Sequence, residues 1–185
     1  MTTPYEMNAQ GQPLHWAHQL SITVSDSLPA QFHPILSEAE QYIEDYANIR
    51  FVDVTGTGAN ADITVGAASL GASIGLTQMR FVANTFISAS VSIEDPNEHP
   101  VVPLSDGDFQ YQDSTASMFN VLTHELLHGI GLDHNTIGPA DIMYPVALSD
   151  SQSITTADAV ALQGLYGAPQ TSTPLPSIVL AHLIA

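Results

Sequence analysis

Apolar residues recur along the chain in two rhythms, and their alternation predicts the order of elements. Trp16, His18, Leu20, Ile22 and Val24 occupy alternate positions, the period of a strand with one buried face. Phe32, Ile35, Leu36, Ala39, Ile43 and Tyr46 then follow helical spacing. With Pro34 near the start, where a missing amide proton costs little, a helix is expected from about His33 to Ala47. Two short strands are expected at Ile49 to Val54 and Ala61 to Val65, separated by the turn-rich stretch from Thr55 to Asn60. From Ile87 to Ile93 apolar and small polar residues alternate cleanly, and Gly71 to Phe81 holds a less regular strand. These segments predict a mixed sheet of four or five strands.

Between Glu94 and Ser114 the chain is rich in Asp, Pro and Gly and reads as a long surface loop. A helix capped by Asp113 or Ser114 is expected to run through Phe119, Leu122, Leu126 and Ile130. After a loop from Asn135 to Ser153, Thr155 and Asp158 have capping-box spacing. Val160, Ala161 and Leu165 offer an apolar face, and Gly167 stops this last helix. One domain over residues 1–167 is expected, followed by a proline-containing tail, 168–185, whose apolar end from Ile178 to Ala185 packs on the domain or serves in export.

Charge and composition narrow the function. Nineteen acidic residues stand against two basic ones, Arg50 and Arg80, giving a formal charge of -17. A field of that sign repels nucleic acid and anionic membranes and attracts metal cations and basic peptides. No apolar run reaches bilayer-spanning length, and Met1 to Gln10 lacks the pattern of a secretory signal. With no cysteine, disulfides, thiolate metal sites and cysteine nucleophiles are excluded, so any metal site must use histidine and oxygen ligands.

Within the second helical stretch, His124 and His128 are four residues apart and project from one face, close enough to share a metal ion. Glu125 is turned about 100° from His124 and can reach a metal-bound water without binding the metal. Gly131 can take the positive φ that ends a helix and swing His134 towards the same ion. Three neutral imidazoles with a fourth position left for water describe a catalytic zinc site. His15, His18, His33, His99 and His182 lack ligand spacing and read as surface or packing residues.

The run from His124 to His134, His-Glu-Leu-Leu-His-Gly-Ile-Gly-Leu-Asp-His, resembles the long zinc signature of the metzincins, and Asp141-Ile142-Met143-Tyr144-Pro145 resembles their Met-turn. Residues 155 to 167 resemble the closing helix of matrixins and serralysins. The resemblance implies an α+β fold, a metzincin-like zincin with a twisted mixed sheet, a long active-site helix, a Met-turn and a C-terminal helix. It also implies an upper half of about residues 12–131, a lower half of about 132–167, and a cleft between them. Gly131, Met143, Tyr144 and Pro145 become structural residues near the site. Met143-Tyr144-Pro145 has the matrixin form, and Tyr144 is misplaced for the extra tyrosine ligand of serralysins and astacins. Asn135 matches neither the serine usual in matrixins nor the proline usual in serralysins. Asp106, Asp108 and Asp113 could supply oxygens to a structural calcium, as the family often does, or form a solvated acidic loop.

The expected activity is a zinc-dependent endopeptidase, in which a zinc-bound water activated by Glu125 attacks the peptide bond. The substrate, a protein or peptide, is expected to lie extended along the edge strand drawn from Gly71 to Phe81. Two other readings stand beside it: a non-catalytic zinc-stabilised binding module, and an amidase acting on small or peptidoglycan substrates. A monomer exported by a bacterium without an N-terminal signal suits the acidic, cysteine-free composition.

Overall fold

The computed structural model describes residues 4–17, 21–112, 114–146 and 152–170. Strand β1 (Ile22–Asp26) is followed by a single 3-10 turn, helix α1 (His33–Glu44), β2 (Phe51–Asp53), β3 (Ile63–Ala68), β4 (Gly75–Val82) and β5 (Thr85–Glu94). These five strands form one sheet in the order β2-β1-β3-β5-β4. All neighbours run parallel except β4, which pairs antiparallel with β5 and leaves its other side as the sheet's edge. The mixed sheet and its helices give the α+β architecture expected.

Alternation decides which face is buried. Ile22 and Val24 on β1, Ile63 and Val65 on β3, and Ala89, Val91 and Ile93 on β5 point to the core. Ile35, Leu36, Ala39 and Ile43 of α1 meet them, together with Leu122, Leu126 and Leu127 of helix α2 (Met118–Gly129). Gly129 packs α2 against the sheet: a Cβ there would stand 3.4 Å from Ile63 and 3.8 Å from Val91. Helix α3 (Thr156–Tyr166) closes the fold with both halves of the Thr155/Asp158 capping box formed, and Gly167 leaves it at φ +85°.

Several elements differ from the sequence reading. The first strand starts at Ile22, not Trp16: Leu14 and Trp16 are buried as the alternation requires, but Trp16 spends its indole N–H on the Gly129 carbonyl at 3.0 Å. His18 and Leu20 lie outside the described residues. Helix α1 ends at Glu44 because Tyr46 N–H already turns back to Ile43 in 3-10 fashion. The acidic loop is not structureless. It contains the hairpin of β6 (Val101–Pro103) and β7 (Phe109–Tyr111), with Tyr111 buried and its hydroxyl donating to the Glu94 carbonyl.

Helix α2 starts later than expected, capped by Ser117 through Asn120 N–H. The preceding residues are held in a turn, where Ser114 Oγ accepts from Ala116 N–H and Gln110 bridges Ser117. On α3 the buried stripe runs through Asp158, Ala161, Leu162 and Tyr166, which leaves Val160 63% exposed rather than on the apolar face.

Candidate active site

The C-terminus of α2 builds the site. Gly131 takes φ +105°, its N–H donates to the His128 carbonyl and Leu132 N–H donates to the Leu127 carbonyl, which is the Schellman pattern. A Cβ on Gly131 would stand 2.5 Å from the Leu14 carbonyl oxygen, so glycine is required by both conformation and space. This turn reverses the chain and delivers His134 beside the helix.

The Nε2 atoms of His124, His128 and His134 lie 3.1 Å from one another in all three pairs. Nitrogens so spaced share a point roughly 2 Å from each, the length of a zinc–imidazole bond. Their orientation is fixed from behind. His124 Nδ1–H donates to the Ile142 carbonyl at 2.6 Å and His128 Nδ1–H to the Leu132 carbonyl at 2.8 Å, so both Nε2 lone pairs face inward. Burial pushes both imidazoles down, His124 to about 4 and His128 to about 3, which favours the neutral form a metal requires. Among the described residues this is the one group of three or more histidine or acidic side chains able to hold a metal ion. Three nitrogen donors converging on one open position fit zinc and leave room for a fourth ligand.

Glu125 stands beside the triad, buried, in the same open cleft of about 640 Å³. Thr77 on β4 donates its hydroxyl to Glu125 Oε2 at 2.7 Å and lies 2.8 Å from the Glu125 carbonyl. Burial pushes the Glu125 carboxyl up to about 7, with the Thr77 hydroxyl pulling it back. Gly75, on the same edge strand, leaves space for that carboxylate: a Cβ there would stand 2.8 Å from Glu125 Cγ and Cδ. Thr77 and Gly75 carry no sequence signal, because their importance comes from β4 passing α2.

The turn from Asp141 to Met143 lies beneath His124. Met143 is fully buried, Ile142 supplies the carbonyl to His124, and Tyr144 and Pro145 line the cleft. A buried polar network fastens this turn. Asn135 N–H donates to the Met143 carbonyl and its side chain to Asp158 Oδ1, while Thr155 Oγ1 donates towards Asp141 and Asp158. Asn135, which follows neither pattern of its relatives, thus joins the third histidine, the Met143 turn and α3.

None of the remaining described candidates lines the cleft. Asp108 accepts from Phe109 and Phe119 N–H groups and Asp106 from Asp108 N–H, so these carboxylates hold the hairpin and the start of α2. Asp113 and His182 lie outside the described residues. His33 meets Leu28 and Asp26, and His99 meets Gln112 and the Tyr111 ring, as packing residues do. A residue not anticipated is Glu6, whose carboxylate lies 3.6 Å from His128 Nδ1.

Comparison with known proteins agrees with this geometry. A stretch of 59 residues, 30% of the chain, is 39% identical to matrilysin of Rattus norvegicus and spans 22% of that protein's length. The family model described as matrixin, a peptidase family, matches residues 14–167, a span that runs from the buried Leu14 to the glycine ending α3. The chain therefore belongs to the matrixin family of metallopeptidases.

Proposed function

We propose that this chain is a zinc-dependent endopeptidase in which His124, His128 and His134 hold the ion and Glu125 handles the protons. The observation that carries the reading is the convergence of three Nε2 atoms at 3.1 Å beside a buried, hydrogen-bonded carboxylate. Zinc, when bound, supplies Lewis-acid polarisation of the scissile carbonyl and acidifies water.

Every other step belongs to the chain. The exposed edge of β4 offers backbone N–H and C=O groups to a peptide lying extended beside it. Val121, Tyr144, Pro145 and Val146 are among the residues lining the cleft, and they offer apolar surface to a substrate side chain. Glu125 takes a proton from the water whose oxygen adds to the carbonyl carbon, then passes it to the leaving nitrogen as the C–N bond breaks. Thr77 holds Glu125 in place through this exchange. A purely structural metal site has no use for a carboxylate so placed, which is the argument against a binding module.

The test combines zinc analysis with hydrolysis of casein. Wild type should carry zinc and cleave casein, while Glu125→Ala should keep its zinc and lose activity by a factor of about 100 to 10,000. Zinc without proteolysis in the wild type supports the module. Cleavage of small amides alone supports the amidase. The lysine-free, acidic surface suits a secreted protein, and no described helix is long and apolar enough to cross a membrane.

A further inference from the structure

We propose that Glu6 is a positioning residue for the metal centre, placing a carboxylate behind His128 and so strengthening the hold of the three histidines on a divalent cation. The inference rests on the zinc reading above and extends it to a segment far from the signature. Residues 4–6 pair with residues 131–133, the stretch joining the second and third histidines. Glu6 N–H donates to the Gly131 carbonyl at 2.9 Å, Asp133 N–H donates to the Pro4 carbonyl at 3.1 Å, and Tyr5 bridges Leu132. The Glu6 carbonyl is taken in turn by Leu14 N–H at 2.8 Å. Both sides of the Glu6 backbone are therefore pinned, and its side chain emerges into the wall of the cleft.

There its Oε1 lies 3.6 Å from His128 Nδ1, with the Glu6 side chain 26% exposed and the His128 side chain 10%. That separation is too long for a hydrogen bond, and the Nδ1 proton is already given to the Leu132 carbonyl at 2.8 Å. The carboxylate acts through charge instead. Three imidazoles bring no negative charge to a dication; Glu6, Glu125 and Asp133 are the carboxylates that line the cleft, and Glu6 is the one placed against His128 Nδ1. A carboxylate behind the ring makes Nε2 a better donor and offsets part of the ion's charge in a partly buried setting where screening is weak. The Leu132 carbonyl comes from the residue that Tyr5 bridges, so the same pairing sets both of the groups that His128 Nδ1 faces.

The full chain is tested as wild type, Glu6→Gln and Glu6→Ala, with Glu38→Gln, an exposed change of the same charge on α1, as control. Zinc affinity is read at pH 8 by competition with a chromogenic chelator, and the melting temperature of each metal-free protein is measured alongside. Glu6→Gln keeps the shape and backbone pairing and removes only the charge. It should weaken zinc binding by about 10- to 100-fold, the usual effect of losing an outer-shell partner, with a metal-free melting temperature no lower than that of the wild type. Glu38→Gln should bind as wild type does. Glu6→Gln with an affinity within twofold of the control overturns the inference, whatever Glu6→Ala does to folding. Wild-type chain that takes up no zinc overturns the underlying function instead.

Discussion

Gly75→Ala offers a sharp test of how Glu125 is held, because it alters no ligand and no catalytic side chain. Gly75 does not use a positive φ, so alanine fits the backbone of β4. The new methyl would stand 2.8 Å from both Cγ and Cδ of Glu125, where ordinary contacts lie at 3.4–4 Å. Either the strand or the carboxylate must yield by roughly 1 Å. The strand is tied to β5 at this position through Ile93, whereas Glu125 is held mainly by the 2.7 Å bond from Thr77, so the side chain moves. A displacement of about 1 Å in a catalytic group costs on the order of 100-fold in rate, or about 2.7 kcal/mol of barrier.

The assay is kcat/KM on a fluorogenic peptide, with bound zinc and melting temperature measured on the same preparation. A fall of about 100-fold at full zinc content is expected. Gly138→Ala, where the added methyl meets nothing within 4 Å, should have no effect. A Gly75→Ala protein with wild-type kcat/KM would refute the claim that this glycine makes room for a working Glu125.

Further outcomes follow from other parts of the site and fold. Asn135→Ala removes a buried donor to Asp158, a bond to a charged acceptor worth about 1.5–3 kcal/mol, so thermal unfolding at constant zinc should shift down by about 3–12 °C. His134→Ala deletes an exposed member of the proposed ligand set, so equilibrium dialysis should show zinc affinity collapsing while the metal-free protein melts as wild type does. Burial, joined by the charges of Glu44, Asp53 and Asp26, pushes Glu40 up to about 7 from its ordinary 4.5. The folded state therefore prefers Glu40 protonated. Its contribution is fully present below pH 4.5 and is lost as pH rises through 7, so the stability advantage of Glu40→Gln over wild type should grow between pH 5 and 8 in urea unfolding.

The parts of the molecule legible in the sequence are those whose cause is local. Periodicity placed α1, β3, β5 and α3 because each element carries its own buried stripe, and the capping box at Thr155 and Asp158 formed as spaced. The three histidines were legible for the same reason: four residues fix two of them on one helix face, and a glycine with φ +105° fixes the third. What escaped was set by tertiary pairing. Trp16 left the strand pattern because its indole found Gly129 on α2, and the hairpin of β6 and β7 is too short to carry a period. Val160 stands exposed because α3 meets the domain along Asp158, Ala161 and Tyr166, a direction no single helix can reveal.

The same distinction separates ligands from the groups that make ligands effective. His124 is oriented by Ile142, His128 by Leu132, and Glu125 by Thr77, and two of these three partners are backbone carbonyls with no side-chain identity to conserve a pattern. A carbonyl acceptor constrains the sequence only through the turn that presents it. That is why the turns at Gly131 and from Asp141 to Pro145 are visible as motifs while the orienting role of the Ile142 and Leu132 carbonyls is not. Asn135 shows the converse, since its side chain is tied to Asp158 on another helix and its unusual identity is explained only there. A substitution at Leu132 or Ile142 that keeps the backbone should spare the metal site, whereas one that alters either turn should loosen a histidine without touching it.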